Sequence, residues 1–542
     1  MPTILGACLG NCVHVAGIQN FLALAEKRGF TARFLGPAAG VQKVVDEAAA
    51  ARPDILALSY RLTPETARQV FAELSAALAS SSFPAPRMVF GGTPAVCAVA
   101  KEAGIFEAVF SGEEPLEAVE AVLGVRSPAA GAAQPPQTLR ERVAAQQPYP
   151  LIRHHYGRPS LAETVEGAAR IAQAGVLDIL SVATDQNAQE FFFRPREMRP
   201  EFDGAGGVPV RKAEDLKDIY EATRCGNYPL VRCYSGTADL LKWAPMLLET
   251  IGNCWGATPL TWYSELDGRS DRTLEDAVRE SQEVAAWWAS RGVAVEINEP
   301  HQWALRNAHD ALFVATGYIA ALNAKDVGAA DYVMQLMLNT PPLTSPRADL
   351  AKMTALIELV RHLESETFRV YRMVRTGLTS MPVDNAEARG HLGGSISWAM
   401  ALRPHIVHVV GFSEADHAIR AEELIESCKI AHGAIRLALK GAPEVAGDAW
   451  TRARADHLKV GAERILRAIR KLGTEFDSKE ALTDPAVIAA AVRRGVLDAP
   501  HHRGSRAARG AVRTAVVDGG YEVLDDAGRP VAEEDRLRAL GL

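Results

Sequence analysis

Along the first 125 residues, short apolar runs alternate with stretches of helical periodicity. TILGAC (3–8), ARFLG (32–36), ILALS (55–59), MVF (88–90) and residues 106–110 predict strands. The intervening segments 17–28, 40–51, 64–80, 94–102 and 114–123 carry apolar positions at helical spacing, the first ending at Gly29. Strands that lack polar alternation are covered on both faces, and strict strand–helix alternation predicts a parallel, doubly wound, flavodoxin-like α/β sheet.

Residues 126–148 are rich in Ala, Pro and Gln, which predicts a linker. From 149 the alternation resumes with longer helices. VLDILSV (176–182), YPLVRCY (228–234), ATPLTWY (257–263), VAVEIN (293–298) and HIVHVVG (405–411) predict strands. Segments 160–174, 236–250, 273–291, 306–324 and 346–366 predict helices. This repetition predicts a (β/α)8 barrel over 149–440. A C-terminal α+β extension follows over 441–542, helical to about 472, with a hairpin at 514–531 turning at its DDAG.

Composition changes this picture little. The chain has 542 residues, 48% hydrophobic and 23% charged, enough for large cores. A net charge of −7 without a long basic run argues against nucleic acid or an anionic membrane as partner. Seven scattered cysteines read as reduced thiols, and with no signal peptide or transmembrane run in view the expected location is cytoplasmic. Cys8 and Cys12 are spaced C-x3-C, but no second pair follows at zinc-site spacing and no CxxxCxxC is present.

Candidate chemistry gathers at predicted strand ends, where open α/β sheets bind ligands. Cys12-Val13-His14-Val15-Ala16-Gly17 follows the first strand, Ser59 ends the third, Gly91-Gly92 follows the fourth and Gly112-Glu113-Glu114-Pro115 the fifth. Imidazole is a good neutral ligand for a borderline transition metal, and glycines let backbone approach a ligand closely. Together these residues resemble the cobalamin-binding domain family, with its D-x-H-x-x-G, S-x-L and GG. The resemblance implies that His14 is the cobalt's lower axial ligand in place of dimethylbenzimidazole. The displaced nucleotide tail would then run past Ser59, Gly91 and Gly92. Two positions depart from the family: Cys12 stands where it has Asp, and Arg61 where it has Leu.

The remainder resembles the catalytic subunit of glutamate mutase (methylaspartate mutase). The segments that carry this are Pro150-Leu151-Ile152-Arg153, residues 230–237 (LVRCYSGT), Thr261-Trp262-Tyr263, Ile297-Asn298-Glu299-Pro300, Ser413-Glu414-Ala415 and residues 495–500 (GVLDAP), in that order. The cobalamin domain would here be fused N-terminally. The resemblance implies adenosylcobalamin as cofactor, a radical carbon-skeleton rearrangement and a homodimer. Arg153 and Arg232 would clamp a substrate carboxylate, with the family's third arginine replaced near Gln189, so that glutamate itself is not the expected substrate. Tyr263, Glu299, Asn298 and Glu414 would contact substrate or adenosyl group, with Trp262, Glu265, Asp267, His301, Gln302, Trp303, Asp416 and His417 as weaker candidates. His405 and His408, inside an apolar strand, are expected in the core or as supports behind the residues that touch substrate, rather than in catalysis.

The leading reading is an adenosylcobalamin-dependent mutase for a small carboxylate or amino acid. The alternatives are a corrinoid-dependent methyltransferase, distinguished by a methyl upper ligand, and a non-catalytic cobalamin sensor or carrier.

Overall fold

The structure, a computed structural model, describes residues 1–124, 134–234 and 236–542. The chain divides into two compact units, 1–133 and 134–542. The expected linker residues 126–133, and Ser235 of the 230–237 segment, lie outside the described residues.

Five parallel strands build the first unit: β1 (Thr3–Cys8), β2 (Thr31–Phe34), β3 (Ile55–Tyr60), β4 (Arg87–Gly92) and β5 (Ala108–Phe110). Their order, β2-β1-β3-β4-β5, is the doubly wound flavodoxin-like one. The order in which strands are added reverses between β1 and β3, which are parallel and place Cys8 in register with Ser59. The loops after these two strands therefore flank one crevice. Every β3 residue is buried, as its unbroken apolar run requires.

Eight parallel strands build the second unit: β6 (Leu151–Tyr156), β7 (Ile179–Val182), β8 (Leu230–Cys233), β9 (Trp255–Thr258), β10 (Ala294–Ile297), β11 (Asp331–Leu338), β12 (Arg369–Thr376) and β13 (Ile406–His408). The ladder runs β8-β7-β6-β13-β12-β11-β10-β9, a nearly closed barrel. At the seam between β8 and β9 the Cys254 N–H donates to Val231 O at 3.0 Å. The Asn253 side chain accepts from Cys233 N–H at 2.7 Å and donates to Trp255 O at 2.7 Å. A buried amide thus supplies bonds that a regular ladder would otherwise make.

Several expected boundaries shift for physical reasons. Within the expected linker, Leu139–Gln146 is a helix capped by Thr138, and Leu139 and Val143 pack against Leu151, Ile179 and Leu230 at the barrel's floor. Their i, i+4 spacing puts both on one helix face. Strand β9 ends at Thr258 rather than Tyr263, because Pro259 has no N–H for a ladder. Thr261–Tyr263 consequently lie in the loop above the strand. Strands β11 and β12 were not anticipated. The hairpin turns at Asp518-Gly519, both with positive φ (50° and 85°), and DDAG forms the turn after it. The extension packs on the barrel through helix Ala449–Gly473, against helices Asp310–Asp326 and Pro346–Arg361. No helix among the described residues is long and apolar enough to cross a membrane.

One buried ion cluster ties the extension to the barrel mouth. Lys352 Nζ lies 2.9 Å from Asp349, 3.6 Å from Asp310 and 2.8 Å from Thr340 O. Asp349 also accepts from Asn339 N–H at 2.6 Å, and Arg454 of the extension reaches Asp310 at 2.6 Å. Burial opposes the ammonium, yet Asp349 and Asp310 raise its pKa. Lys352→Ala strands buried Asp349 and leaves Asp310 its ion pair with Arg454, a change that costs about 3–5 kcal/mol. The expected result is an earlier urea unfolding midpoint by tryptophan fluorescence, which reports the second unit alone because all eight tryptophans lie there.

Candidate functional site

Two sites emerge, one in each unit. In the first, a groove of about 550 Å³ opens at the β1/β3 crevice, lined by His14, Gly17, Ser59, Gly91, Gly92 and Gly112 among others. The structure thus brings these six expected residues together. His14 is exposed, and its Nδ1 faces the Sγ of fully buried Cys12 at 3.7 Å. That contact leaves Nε2 as the outward nitrogen. Cys12 is beneath the histidine rather than on the groove wall. Ser59 Oγ donates to Cys8 Sγ at 3.1 Å, so it offers a ligand its lone pairs. A Cβ on Gly91 would have its nearest protein atom 3.9 Å away. Packing does not demand glycine there, and its absent side chain keeps the floor open. Phe21, Phe90, Phe110 and Leu116 supply an apolar wall.

These features fit a corrinoid held by histidine: a free imidazole nitrogen at the mouth, and a glycine-floored apolar slot beside it for an aromatic base.

In the second unit, a cavity of about 620 Å³ opens at the C-terminal ends of the barrel strands. Strand register builds its floor. Arg153 (β6) pairs with His408 (β13), and His408 with Arg375 (β12). Two residues further along, on the same face, His155 (β6) pairs with Ser181 (β7), and Ser181 with Arg232 (β8). These two polar layers stack inside the barrel. Arg153 and Arg232 both lie over the Trp255 ring, at 5.2 and 5.0 Å.

Arg153 is held by neutral acceptors alone: Ser181 Oγ at 2.8 Å, Met373 Sδ at 3.1 Å, His408 Nδ1 at 3.2 Å and His155 Nε2 at 3.0 Å. Of its five N–H groups this leaves one free, with the full charge. Arg232 differs. Glu296 lies 3.6 Å from its Nη1 but accepts a shorter bond from Trp255 Nε1, 2.6 Å. Arg232 Nε and Nη2 find no hydrogen-bond partner among the described residues, nor does Arg375 Nε. The Nε/Nη2 edge of Arg232 is the fork that matches a carboxylate. Burial and then Arg232 lower the pKa of Arg153, a repulsion that a bound anion relieves.

Gln189, Tyr263, Asn298 and Glu414 also line this cavity, with His301, Gln302 and His417 at its wall. Gln189 Nε2 is taken by Thr184 O at 2.7 Å, so its amide oxygen is what it offers. Tyr263 holds a strained φ of +58° and meets Tyr234 edge to face at 6.0 Å; Tyr234 Oη donates to Asn298 at 3.3 Å. Glu414 accepts from Gly411 N–H at 2.9 Å and faces His154 Nε2 at 3.1 Å. Burial pushes its pKa up, but His154, Gly411 and Arg375 together hold it below the ordinary range.

Glu299 does not line the cavity. Its carboxylate accepts from Leu260 N–H, Thr261 N–H, Thr261 Oγ1 and Trp303 Nε1, bracing the loop after β9. Trp262 and Trp303 pack on each other and on His502, and Asp267 caps Tyr263 and Ser264. Glu265 pairs with Arg493, Asp416 pairs with His417 outside the wall, and His405 accepts from Arg372 N–H. His408, expected in the core or in a supporting role, is buried at the cavity's edge and accepts from Arg153. Sequence reading missed Arg375, Glu296, His155 and Gln335; the interior pattern of RVYRMVRT, with arginines three apart, was the one signal for Arg375.

Residues 2–120 match the B12 binding domain family. The match covers the first unit only. No curated protein matches the chain. Among solved structures, the chain is similar to a cobalamin-binding protein from Desulfitobacterium hafniense DCB-2 (23% identity, 22% of this chain, TM-score 0.19), spanning 57% of that protein's length. It is also similar to a putative lyase/mutase from Burkholderia cenocepacia J2315 (14% identity, 58% and 90% covered, TM-score 0.30). A third is a cobalamin-dependent S-adenosylmethionine radical enzyme (9% identity, 81% and 56% covered, TM-score 0.19). At these identities and TM-scores, the structural likenesses bear on neither activity nor substrate.

The bonds from Arg153 require His155 and His408 to be neutral acceptors. Burial first, then Arg153, holds both pKa values well below 6.5, and burial and Arg375 do the same for His301. Below about pH 6.5 the unfolded chain binds protons that the folded barrel refuses. Stability is therefore complete above that pH and falls as pH drops, by up to about 1.4 kcal/mol per pH unit for each histidine. Urea unfolding at pH 8 to 5, followed by tryptophan fluorescence, should show this slope. It should be shallower in His408→Asn, whose amide oxygen replaces the Nδ1 acceptor.

Proposed function

We propose that this chain is an adenosylcobalamin-dependent carbon-skeleton mutase whose barrel cavity takes a small carboxylate substrate. The observation that carries the reading is the convergence of Arg153, Arg232 and Arg375 in one buried cavity, with guanidinium N–H groups unmatched among the described residues, in a chain that also carries a B12-binding domain. His14 would ligate cobalt through Nε2, and the slot past Ser59, Gly91 and Gly92 would hold the nucleotide tail. Bound adenosylcobalamin supplies a carbon-centred radical through homolysis of its cobalt–carbon bond.

The chain's own residues then bind, orient and shield. Arg232 presents its Nε/Nη2 edge to a carboxylate, and Arg153 adds charge and one N–H. Arg375 supplies the third guanidinium that the sequence reading did not find near Gln189. The wall carries three guanidinium groups against the carboxylates Glu296 and Glu414, of which Glu414 already faces His154. Excess buried positive charge selects anionic substrates. The ground for setting glutamate aside was a missing third arginine; with Arg375 present, substrates with two carboxylates fit the charge. Tyr234, Tyr263 and Asn298 form the wall that excludes water from a reactive intermediate.

Two outcomes test the reading. The full chain loaded with cobalamin should show a base-off, histidine-on spectrum, and His14→Ala should abolish it; an unchanged spectrum refutes the axial assignment. With adenosylcobalamin, one of a panel of small mono- and dicarboxylates should elicit a radical EPR signal. Arg232→Ala should weaken that substrate's binding by one to two powers of ten, since a charge-assisted bond contributes about 1.5–3 kcal/mol.

A further inference from the structure

The groove of the first unit has an uneven charge. Its described lining residues include no carboxylate; its charged members are Arg61 and Lys27, both cationic. Glu114, near the rim, is consumed by Ser111 and Gly112, whose N–H groups and hydroxyl it accepts. Arg61 is exposed, and makes no ion pair or side-chain hydrogen bond among the described residues. An apolar aromatic slot bounded only by cations fits a ligand with an aromatic end and an anionic link.

The two cations are not equivalent. Arg61 follows β3 directly, two residues beyond Ser59, so it shares the crevice mouth with the His14 loop. Lys27 ends helix Ala16–Lys27, which starts beside that loop. Twelve helical residues span about 18 Å, which places Lys27 at the deep end. Along a cobalamin's nucleotide tail the phosphodiester precedes the terminal benzimidazole. With the base in the deep apolar part, the single negative charge lies toward the mouth.

We propose that Arg61 binds the tail's phosphodiester, so that the groove distinguishes complete corrinoids from those lacking the tail. The inference rests on the His14 reading of the cofactor site. A guanidinium suits phosphate because its planar fork offers two parallel N–H donors. The resembled family has Leu at this position, so the contact is this chain's own departure. Its strength is limited by exposure to salt and solvent.

The test uses the full chain and absorbance titrations with hydroxocobalamin and with cobinamide, which lacks both phosphodiester and base but leaves cobalt open to His14. Arg61→Leu should weaken hydroxocobalamin binding about tenfold at low salt, flatten its salt dependence and leave cobinamide affinity unchanged. Arg61→Lys should recover part of the loss. An Arg61→Leu chain with unaltered hydroxocobalamin affinity and salt dependence overturns the proposal, as does an equal loss for both ligands. A wild-type complex that keeps benzimidazole on cobalt overturns the His14 reading instead, and the Arg61 contact with it.

Discussion

Two guanidinium groups buried inside a barrel, over one tryptophan ring, set the terms for everything around them. Arg153 and Arg232 are 2% and 1% exposed, so neither recovers its hydration from solvent. The barrel offsets that loss in ways that keep the charge available. The Trp255 face attracts both cations while its indole N–H takes the nearest carboxylate, Glu296. Imidazoles accept from Arg153 where a structural ion pair would place Asp or Glu. A fully paired arginine would be quieter and more stabilising, but it would have nothing left for a ligand. The histidines must stay neutral for this arrangement to stand, and burial first, then the arginines themselves, keep them so.

Legibility in the sequence followed how locally each feature is encoded. The flavodoxin-like unit was readable because its central strands are short apolar runs and its helices amphipathic stretches; β2, TARF, is the partly exposed exception. His14, Ser59 and Gly91 sit at consecutive strand ends, so a linear motif located the groove. The barrel was harder. DYVMQLML is buried throughout and has no alternation to separate strand from helix. RVYRMVRT carries Arg372 and Arg375 amid its apolar residues, and the second is there because the barrel's interior is polar. Arg375, His408 and Arg153 are far apart in sequence and adjacent in space through parallel register. No local pattern encodes that.

Glu299 shows the opposite error. It follows Asn298, which does line the cavity, and the family resemblance implied the same role for both. A strand-to-helix transition intervenes: Glu299 opens the helix Glu299–Ala304 and turns back under the loop after β9. There its carboxylate accepts from four donors, two of them on Thr261, and holds the loop that carries the strained Tyr263 the cavity does use. The carboxylate acts through the loop it holds.

The histidine of the first unit poses the complementary problem. A ligating imidazole is oriented by whatever its other nitrogen bonds. Where the resembled family has a carboxylate, this chain has Cys12, fully buried and 3.7 Å from Nδ1. In the proposed reading, a thiol would orient the ring but donate little electron density, and the imidazole would be a moderate donor to cobalt. Less of the cofactor's hold can then come from the axial bond, and more must come from the groove. On the proposed reading, the cationic lining, carboxylate-free among the described residues, and the open glycine floor would supply that second hold. The two departures from the resembled family, at Cys12 and Arg61, follow the two strands that flank one crevice, and under the proposed reading they would pull in compensating directions: a softer axial partner on one side, an added guanidinium on the other.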